Sequence, residues 1–308
     1  MTFLSHRAPL IYGLLCVLAC LTTPGAAGGP TVDELAAVIW RYNEVIDDDL
    51  PLPDAEQLTQ LLAGGMVDIR DRTPIEDWRG EPQDRIRVVG YQLIDRPRLL
   101  VWLATLNVST EHSDRMTEHQ LSDDDAGGSV WYQHLNTPWP VRNRHWVISN
   151  TKNTDVTQAT QGLVWEHRWQ LSERGEDQAL NLLLNNSVEG LGERDYQKSI
   201  YLTVNEGAWT MFEVNEQMTL VAAHTTADLG GWIPERWVTG FVAKQLGGVL
   251  KNLKEKSDTV HDDYSGDQPV FDGWGKPISP RQAADVRRLF HLSLERSAQA
   301  GDEGAQRE

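Results

Sequence analysis

Cysteine is almost absent from this sequence. Of its 308 residues only Cys16 and Cys20 are cysteines, and both stand in the first twenty positions. The rest of the chain therefore has no disulfide, no thiolate zinc site and no cysteine nucleophile. Motifs of other catalytic and metal sites are also missing, since HExxH, GxSxG, the P-loop and GxGxxG do not occur. We expect no metal and no cofactor.

Histidine and carboxylate side chains do occur together between Glu111 and Asp125, where His112 and His119 are found. They lack the i, i+4 histidine pair on a helix and the glycine-bearing loop of oxygen ligands that metal sites use. We expect a solvated acidic loop at this position.

Positive charge is scarce as well. Lys and Arg number 28 against 45 Asp and Glu, so the formal net charge is -17. A surface of this sign repels phosphate, which argues against nucleic acid as a partner. The content of 40% hydrophobic and 24% charged residues is typical of a globular protein with a packed core.

Long apolar runs are lacking outside the N-terminus. One run extends from Ala8 to Leu21, is shorter than the roughly 20 residues of a membrane span, and is followed by small residues up to Ala27. This pattern predicts a signal peptide over residues 1–27 and therefore an exported, periplasmic or secreted protein. Residues 17–20 also fit a bacterial lipobox, so a lipoprotein anchored through Cys20 is the alternative.

The residues that follow predict two helices and then strands. Leu35, Ile39 and Tyr42 form one apolar stripe at helical spacing, and Asp54 is placed to cap a second, shorter helix. The runs MVDIRD and RIRVVGYQL are β-branched and bounded by turn residues, which indicates strands. The run PRLLVWLATL predicts one further helix.

Later segments predict an antiparallel sheet. In GLVWEHRWQL, Trp165 and Trp169 fall on one face and Glu166 on the other, so we expect one buried and one wet face. The runs ALNLLLNN, SIYLTV, AWTMFEV and MTLVAAHT are interpreted as strands joined by short turns.

A long amphipathic helix is predicted after Pro234, with Leu246 and Leu250 on its apolar stripe. Beyond Ser257 the composition becomes acidic and rich in proline. We therefore place a domain boundary near residue 258, with residues 259–308 as an acidic linker plus a C-terminal amphipathic helix.

Two segments together resemble the START family, the steroidogenic-acute-regulatory-related lipid-transfer domains. They are TPWPVRNRHWVIS at 137–149 and ADLGGWIPERWV at 227–238. Arg144 and Trp146 match the arginine and aromatic residue of the family, whereas His145 stands in place of its aspartate. The order of elements over residues 31–258 also agrees, and residues 188–198 correspond to the mobile loop of the family.

The resemblance implies an α+β helix-grip fold, in which a curved antiparallel sheet packs around a long C-terminal helix and leaves a hydrophobic tunnel for one lipid. On this basis we expect a monomeric lipid-binding or lipid-transfer protein that meets a membrane surface transiently and is not an enzyme. Because the same fold includes aromatase/cyclase enzymes, such an enzyme is the alternative. A module whose groove binds a protein segment is a third possibility.

The ligand-binding candidates are side chains expected to face the tunnel. They are Trp165, His167, Trp169, Asn185, Tyr201, Trp209, Trp237, Phe241 and Arg144. Tryptophan fills a core as readily as it lines a cavity, and His167 suits a neutral core residue as well as a polar anchor for a ligand. Arg144 is either a tunnel residue or part of an ion pair at the sheet edge.

Three glycines of the long helix, Gly240, Gly247 and Gly248, have two interpretations. Each weakens a helix by up to about 1 kcal/mol relative to alanine, which suits a lid that loosens to admit a ligand. Close packing of the helix against the sheet explains them equally well.

Overall fold

The computed structural model describes residues 29–305 with the exception of 48, 78–79, 107–114, 124–127, 230–234 and 264–269. The predicted signal peptide, with Cys16 and Cys20, lies outside the described residues. Part of the second START-like segment, residues 230–234, also lies outside them, and so does the side chain of Trp237.

The described residues form eight helices and eleven strands. The helices are α1 (Val32–Asn43), α2 (Ala55–Leu62), α3 (Arg98–Leu106), α4 (Thr154–Ala159), α5 (Gly175–Leu184), α6 (Glu193–Lys198), α7 (Glu235–Asp263) and α8 (Pro280–Ala305). The strands are β1 (Met66–Glu76), β2 (Pro82–Ile94), β3 (Met116–Asp123), β4 (Ser129–Leu135), β5 (Arg144–Lys152), β6 (Val164–Leu171), β7 (Ile200–Tyr201), β8 (Val204–Asn215), β9 (Met218–Asp228), β10 (Val270–Phe271) and β11 (Pro277–Ile278).

The first two helices begin at capping side chains. The Thr31 hydroxyl accepts a hydrogen bond from the Glu34 amide, and the Asp54 carboxylate accepts one from the Gln57 amide. Each cap satisfies an amide that has no partner within its helix. The predicted helices α1, α2, α3 and α7 are all confirmed.

One antiparallel sheet organises the molecule. Its strand order is β1-β2-β9-β8-β6-β5-β4-β3, and the short β7 pairs in parallel with the start of β5. Helix α7 packs on β1, β2 and β9, so close that a Cβ on Gly90 would lie 2.7 Å from Cδ1 of Leu250. This arrangement is the α+β helix-grip fold that the sequence predicted. We call the sheet face toward α7 the inner face and the opposite one the outer face.

The prediction that the second sheet face is wet is wrong. Helices α1 and α2 cover the outer face, where Tyr42 packs edge-on to Phe212 with 5.7 Å between ring centroids. Glu166, expected in solvent, is fully buried. Strand alternation separates the two faces but does not reveal that a helix from elsewhere in the chain covers the polar one.

The prediction of a strand for ALNLLLNN is also wrong. These residues belong mostly to α5, in which Ala179 and Leu183 lie one helical turn apart and are both buried. Three consecutive leucines fit a buried strand as well as a helix, because a short apolar run has no period of its own. The run SIYLTV divides into β7 and the start of β8.

No break occurs at the predicted boundary near residue 258, because α7 continues to Asp263. Val260, Ile278 and Ala283 belong to the same buried cluster as Trp102 of α3. Described residues beyond 258 thus share the main core, and Asp262 and Asp263 of the predicted acidic linker belong to α7. Of the helices in the described part of the chain, none combines the length and apolarity of a membrane span.

A buried carboxylate joins the outer helices to the sheet. Glu166 accepts hydrogen bonds from the hydroxyls of Tyr42 (2.6 Å) and Thr210 (2.8 Å) and from the amide of Asn153 (2.8 Å), and it pairs with Arg168. Burial alone would raise the pKa of Glu166. The charge of Arg168 and the three hydrogen bonds outweigh burial and hold this pKa below its usual value.

We predict that Glu166→Gln lowers the free energy of unfolding at pH 7 by about 3 kcal/mol, because an amide leaves Arg168 unpaired and matches the three donors poorly. The depressed pKa means that the contribution of Glu166 is present above about pH 4.3 and is lost as the pH falls below it. Urea unfolding at pH 7 and pH 3.5 should show a larger acid loss for the wild type than for the variant. Glu216→Gln, at an exposed turn, should leave both the stability at pH 7 and its loss at pH 3.5 at the wild-type level. An equal acid loss in the wild type and both variants would contradict the prediction.

Candidate functional site

One half of the inner face is closed by helix α3. Trp165 and His167 project from β6 against Trp102 of α3, with ring centroids 5.5 and 5.2 Å away in edge-on geometry. Trp209 of β8 lies opposite His167 and is 9% exposed. In this half, the side chains of sheet, α3 and α7 form one packed cluster.

His167 has a neutral ring within this closed half. Its Nε2 lies 3.1 Å from the Thr105 hydroxyl, and it is 8% exposed. Burial, together with the positive charge of Lys152, lowers the pKa of His167 to about 3. One of its two ring nitrogens is therefore already engaged by the protein.

The other half of the inner face is less covered. Trp169 of β6 and Trp131 of β4 face inward, yet both are only half-buried, and so is Val242 of α7. The indole N–H of Trp169 donates to Asn205 Oδ1 (3.2 Å). The ring packs directly on the backbone of Gly207, where an added Cβ would lie 2.3 Å from Cζ2 of Trp169. We call this region the open half. It offers apolar ring surface whose polar atom is already bonded.

Arg144 holds the C-terminal end of β9 against the start of β5. It lies at the start of β5 on the inner side, is 2% exposed, and donates to the carbonyl oxygens of Leu229 and Arg142. Burial and the charge of Arg142 lower its pKa, and Asp228 opposes them. Because Leu229 directly follows Asp228, the last residue of β9, this bond fixes the end of that strand against the start of β5.

Four predicted ligand-binding residues remain, and the structure describes the side chains of three of them. Asn185 is exposed where α5 ends, so the prediction that it faces the interior is wrong, because it rested on a strand that is a helix. The Tyr201 hydroxyl accepts from the Val147 amide (3.2 Å) on the outer side. Phe241 is 41% exposed on α7, and the side chain of Trp237 lies outside the described residues.

His145, which stands where the family has aspartate, faces outward. Its ring meets Tyr132, Tyr196 and Tyr201 edge-on at centroid distances of 6.0, 5.2 and 5.4 Å. Its cross-strand neighbour is His134. Burial, and next the nearby His134, lower the pKa of His145 to about 4.

The glycines of α7 differ in their surroundings. A Cβ on Gly247 would lie 3.0 Å from the Met66 side chain, whereas a Cβ on Gly240 or Gly248 would meet nothing within 4 Å. Close packing therefore explains Gly247 but not the other two.

The sequence analysis did not predict Glu118 of β3 and Gln133 of β4 as inner-face residues. Glu118, Gln133 and Trp146 lie side by side on three neighbouring strands. The alternation of Trp131, Gln133 and Leu135 could have indicated the inner face of β4. The polar Gln133 interrupts the apolar pattern by which an inner face is recognised. Within the described ranges, no group of three or more His, Cys, Asp or Glu residues is arranged to hold a metal.

No family model matches the sequence, and no curated protein matches it. Among solved structures, it is similar to human STARD10, at 10% identity over 77% of this chain and 92% of that one, with a TM-score of 0.47. It is also similar to a STAR-related lipid transfer protein fragment from Xanthomonas axonopodis, at 17% identity over 60% and 98% of the chains and a TM-score of 0.41. The Zhui aromatase/cyclase from Streptomyces sp. R1128 is similar at 12% identity over 56% and 87%, with a TM-score of 0.29.

We predict that His145→Phe weakens the acid sensitivity of the fold. The folded-state pKa of about 4 lies below the unfolded value of about 6.5. Unfolding therefore takes up a proton between these values, and stability is lost as the pH falls through that window. Urea midpoints at pH 7 and pH 5 should differ less in the variant than in the wild type. A His145 ring resonance that titrates near pH 6.5 in the folded protein would contradict this.

Proposed function

We propose that the protein binds one lipid or similarly apolar molecule between α7 and the open half of the inner face, and that it performs no chemistry on this molecule. The observation that carries the proposal is the half-burial of Trp131 and Trp169 on the inner face of the sheet and of Val242 on α7. Inward-facing apolar side chains that keep solvent-accessible surface favour a ligand that covers them.

The energetic basis of binding is removal of apolar surface from water, at about 25 cal/mol per Å². The indole N–H groups do not oppose it, since Trp131 donates to the Ser129 hydroxyl (3.0 Å) and Trp169 donates to Asn205. The ring faces can therefore contact a hydrocarbon without leaving a donor unpaired. An aromatase/cyclase would instead need titratable groups that converge on its substrate. His167 suits that role poorly, being bonded to Thr105.

A lipid carrier must also meet a membrane, and Trp139 supports a contact of this kind. It lies between β4 and β5 and is 92% exposed. The turn is braced by the Thr137 hydroxyl, which donates to the Val141 carbonyl (2.8 Å), and by the Asn143 amide, which donates to Asn136 Oδ1 (3.0 Å). Residues 136–144 include no carboxylate. Tryptophan is enriched at membrane–water interfaces, so a transient contact with a lipid surface is part of the proposal.

Export is proposed on the basis of residues 1–27, whose pattern is that of a signal peptide. A periplasmic location would place the protein beside a membrane. Anchoring through Cys20 is the alternative, and mass spectrometry of the mature N-terminus would distinguish the two.

We predict that Trp169→Ala lowers the affinity for the neutral apolar dye N-phenyl-1-naphthylamine about tenfold, because the dye loses its aromatic contact surface. Fluorescence titration measures this directly. Trp40→Ala is the matched control, since Trp40 is 60% exposed on α1 at the outer face. Equal dye affinities for the two variants would refute the proposed binding region.

Trp139→Ser should reduce binding to phosphatidylcholine vesicles several-fold in a co-sedimentation assay, because an interfacial side chain is lost. Dye binding in the absence of vesicles should remain at the wild-type level. Trp40→Ser again serves as the control for an exposed tryptophan elsewhere. Unchanged vesicle binding by the Trp139 variant would exclude this turn as the membrane contact.

A further inference from the structure

The C-terminal hairpin β10–β11 packs on the closed half of the inner face. The carbonyl of Phe271 accepts a hydrogen bond from the indole N–H of Trp102 (2.8 Å), and this bond is buried. The backbone of Gly273 lies directly on the ring of Trp165, where an added Cβ would be 2.3 Å from Cγ. Because both tryptophans belong to the cluster that closes this half, the hairpin helps to close it.

The turn of the hairpin is also held in place. The Asp272 carboxylate accepts hydrogen bonds from the amides of Trp274 (2.9 Å) and Lys276 (2.8 Å), which fix the shape of the turn. The Trp274 ring lies on Gly162, where an added Cβ would be 2.7 Å from Cζ2. An isolated two-stranded hairpin is marginally stable in water, so its contacts with the rest of the protein keep this one in position.

Trp102 forms a wall beside the open half. It is fully buried, and its ring meets Trp165 and His167 edge-on. His167 and Trp169 are two residues, or about 7 Å, apart on one face of β6, and Trp169 packs against the cluster that contains Trp102. A molecule that lies on Trp169 therefore meets packed side chains in the direction of Trp165. A well-packed core does not admit further methylenes without strain.

We propose that Trp102, held in position by the C-terminal hairpin, is the wall that ends the apolar chain of the ligand, so that the protein discriminates among lipids by chain length. The inference rests on the proposed function and adds a specificity-determining residue to it. The hydrogen bond to Phe271 fixes the orientation of the indole. The hairpin, which follows the predicted lipid-binding domain of residues 31–258, thereby takes part in ligand selection.

The test uses saturated primary alcohols from octanol to tetradecanol, which share one uncharged head group, so that only chain length varies. Each alcohol displaces N-phenyl-1-naphthylamine from the full-length protein at pH 7, and the displacing concentration is measured. For the wild type we expect this concentration to fall about fourfold per methylene while added methylenes are buried, and less than about twofold once the chain has reached the wall. The chain length at which the slope changes is the break of the series.

Two variants should move this break. Trp102→Ala leaves a cavity that the surroundings only partly refill, so the break should shift to chains at least about two carbons longer. Gly273→Ala should shift it in the same direction, because the added Cβ has no room beside Trp165 and the hairpin must move. Gly248→Ala is the matched control, since a Cβ there meets nothing within 4 Å, and its break should coincide with that of the wild type. Alcohols shorter than the wild-type break should bind all four proteins equally well.

Urea unfolding verifies that each variant is folded. Trp102→Leu, which leaves a smaller cavity and should give a smaller shift in the same direction, replaces Trp102→Ala if that variant does not fold. A break caused by the solubility of the alcohols would be the same in every variant. A wild-type series without a break, or a break that the Trp102 or Gly273 variant leaves unmoved, overturns the inference alone. If neither dye nor alcohol binds the wild-type protein, the proposed function is overturned and the inference with it.

Discussion

A single antiparallel sheet must be covered on both of its faces, and the two covers differ in how completely they fill the space. On the outer face, α1 and α2 pack closely against side chains such as Phe212 and form one buried cluster with them. On the inner face, α7 and α3 pack tightly around Trp165 and Trp102 but leave Trp169 half-buried. The proposed binding region depends on this unequal filling, because apolar surface that the protein does not cover is available to a ligand.

Buried polar groups hold α1 and the ends of two strands at defined positions. Glu166 ties α1 to the sheet through Tyr42, while Arg144 ties the end of β9 to the start of β5 through the carbonyl of Leu229. Hydrogen bonds of this kind contribute little net stability, but they are costly to break, since a buried partner is left unsatisfied. They therefore select one arrangement of these elements.

Local patterns were sufficient for much of the fold. The cap at Asp54 and the apolar stripe of α7 depend on neighbours within a few residues, so the sequence identifies them directly. Errors arose where two structures suit one pattern, as for the leucines of α5. They also arose where the environment comes from distant residues: Glu166 was expected in solvent because nothing near it indicates that Tyr42, 124 positions earlier, covers it.

The sequence by itself determined helices α1, α2, α3 and α7, strands β1, β2, β6, β8 and β9, and the resemblance that predicted a helix-grip fold, because these depend on residue type and short spacing. Only the tertiary structure decided which inward side chains meet a partner and which keep exposed surface. It separated the closed position of His167 from the open one of Trp169, two residues apart on one strand face. It also aligned Glu118, Gln133 and Trp146, since strand register and packing join residues that no local pattern relates.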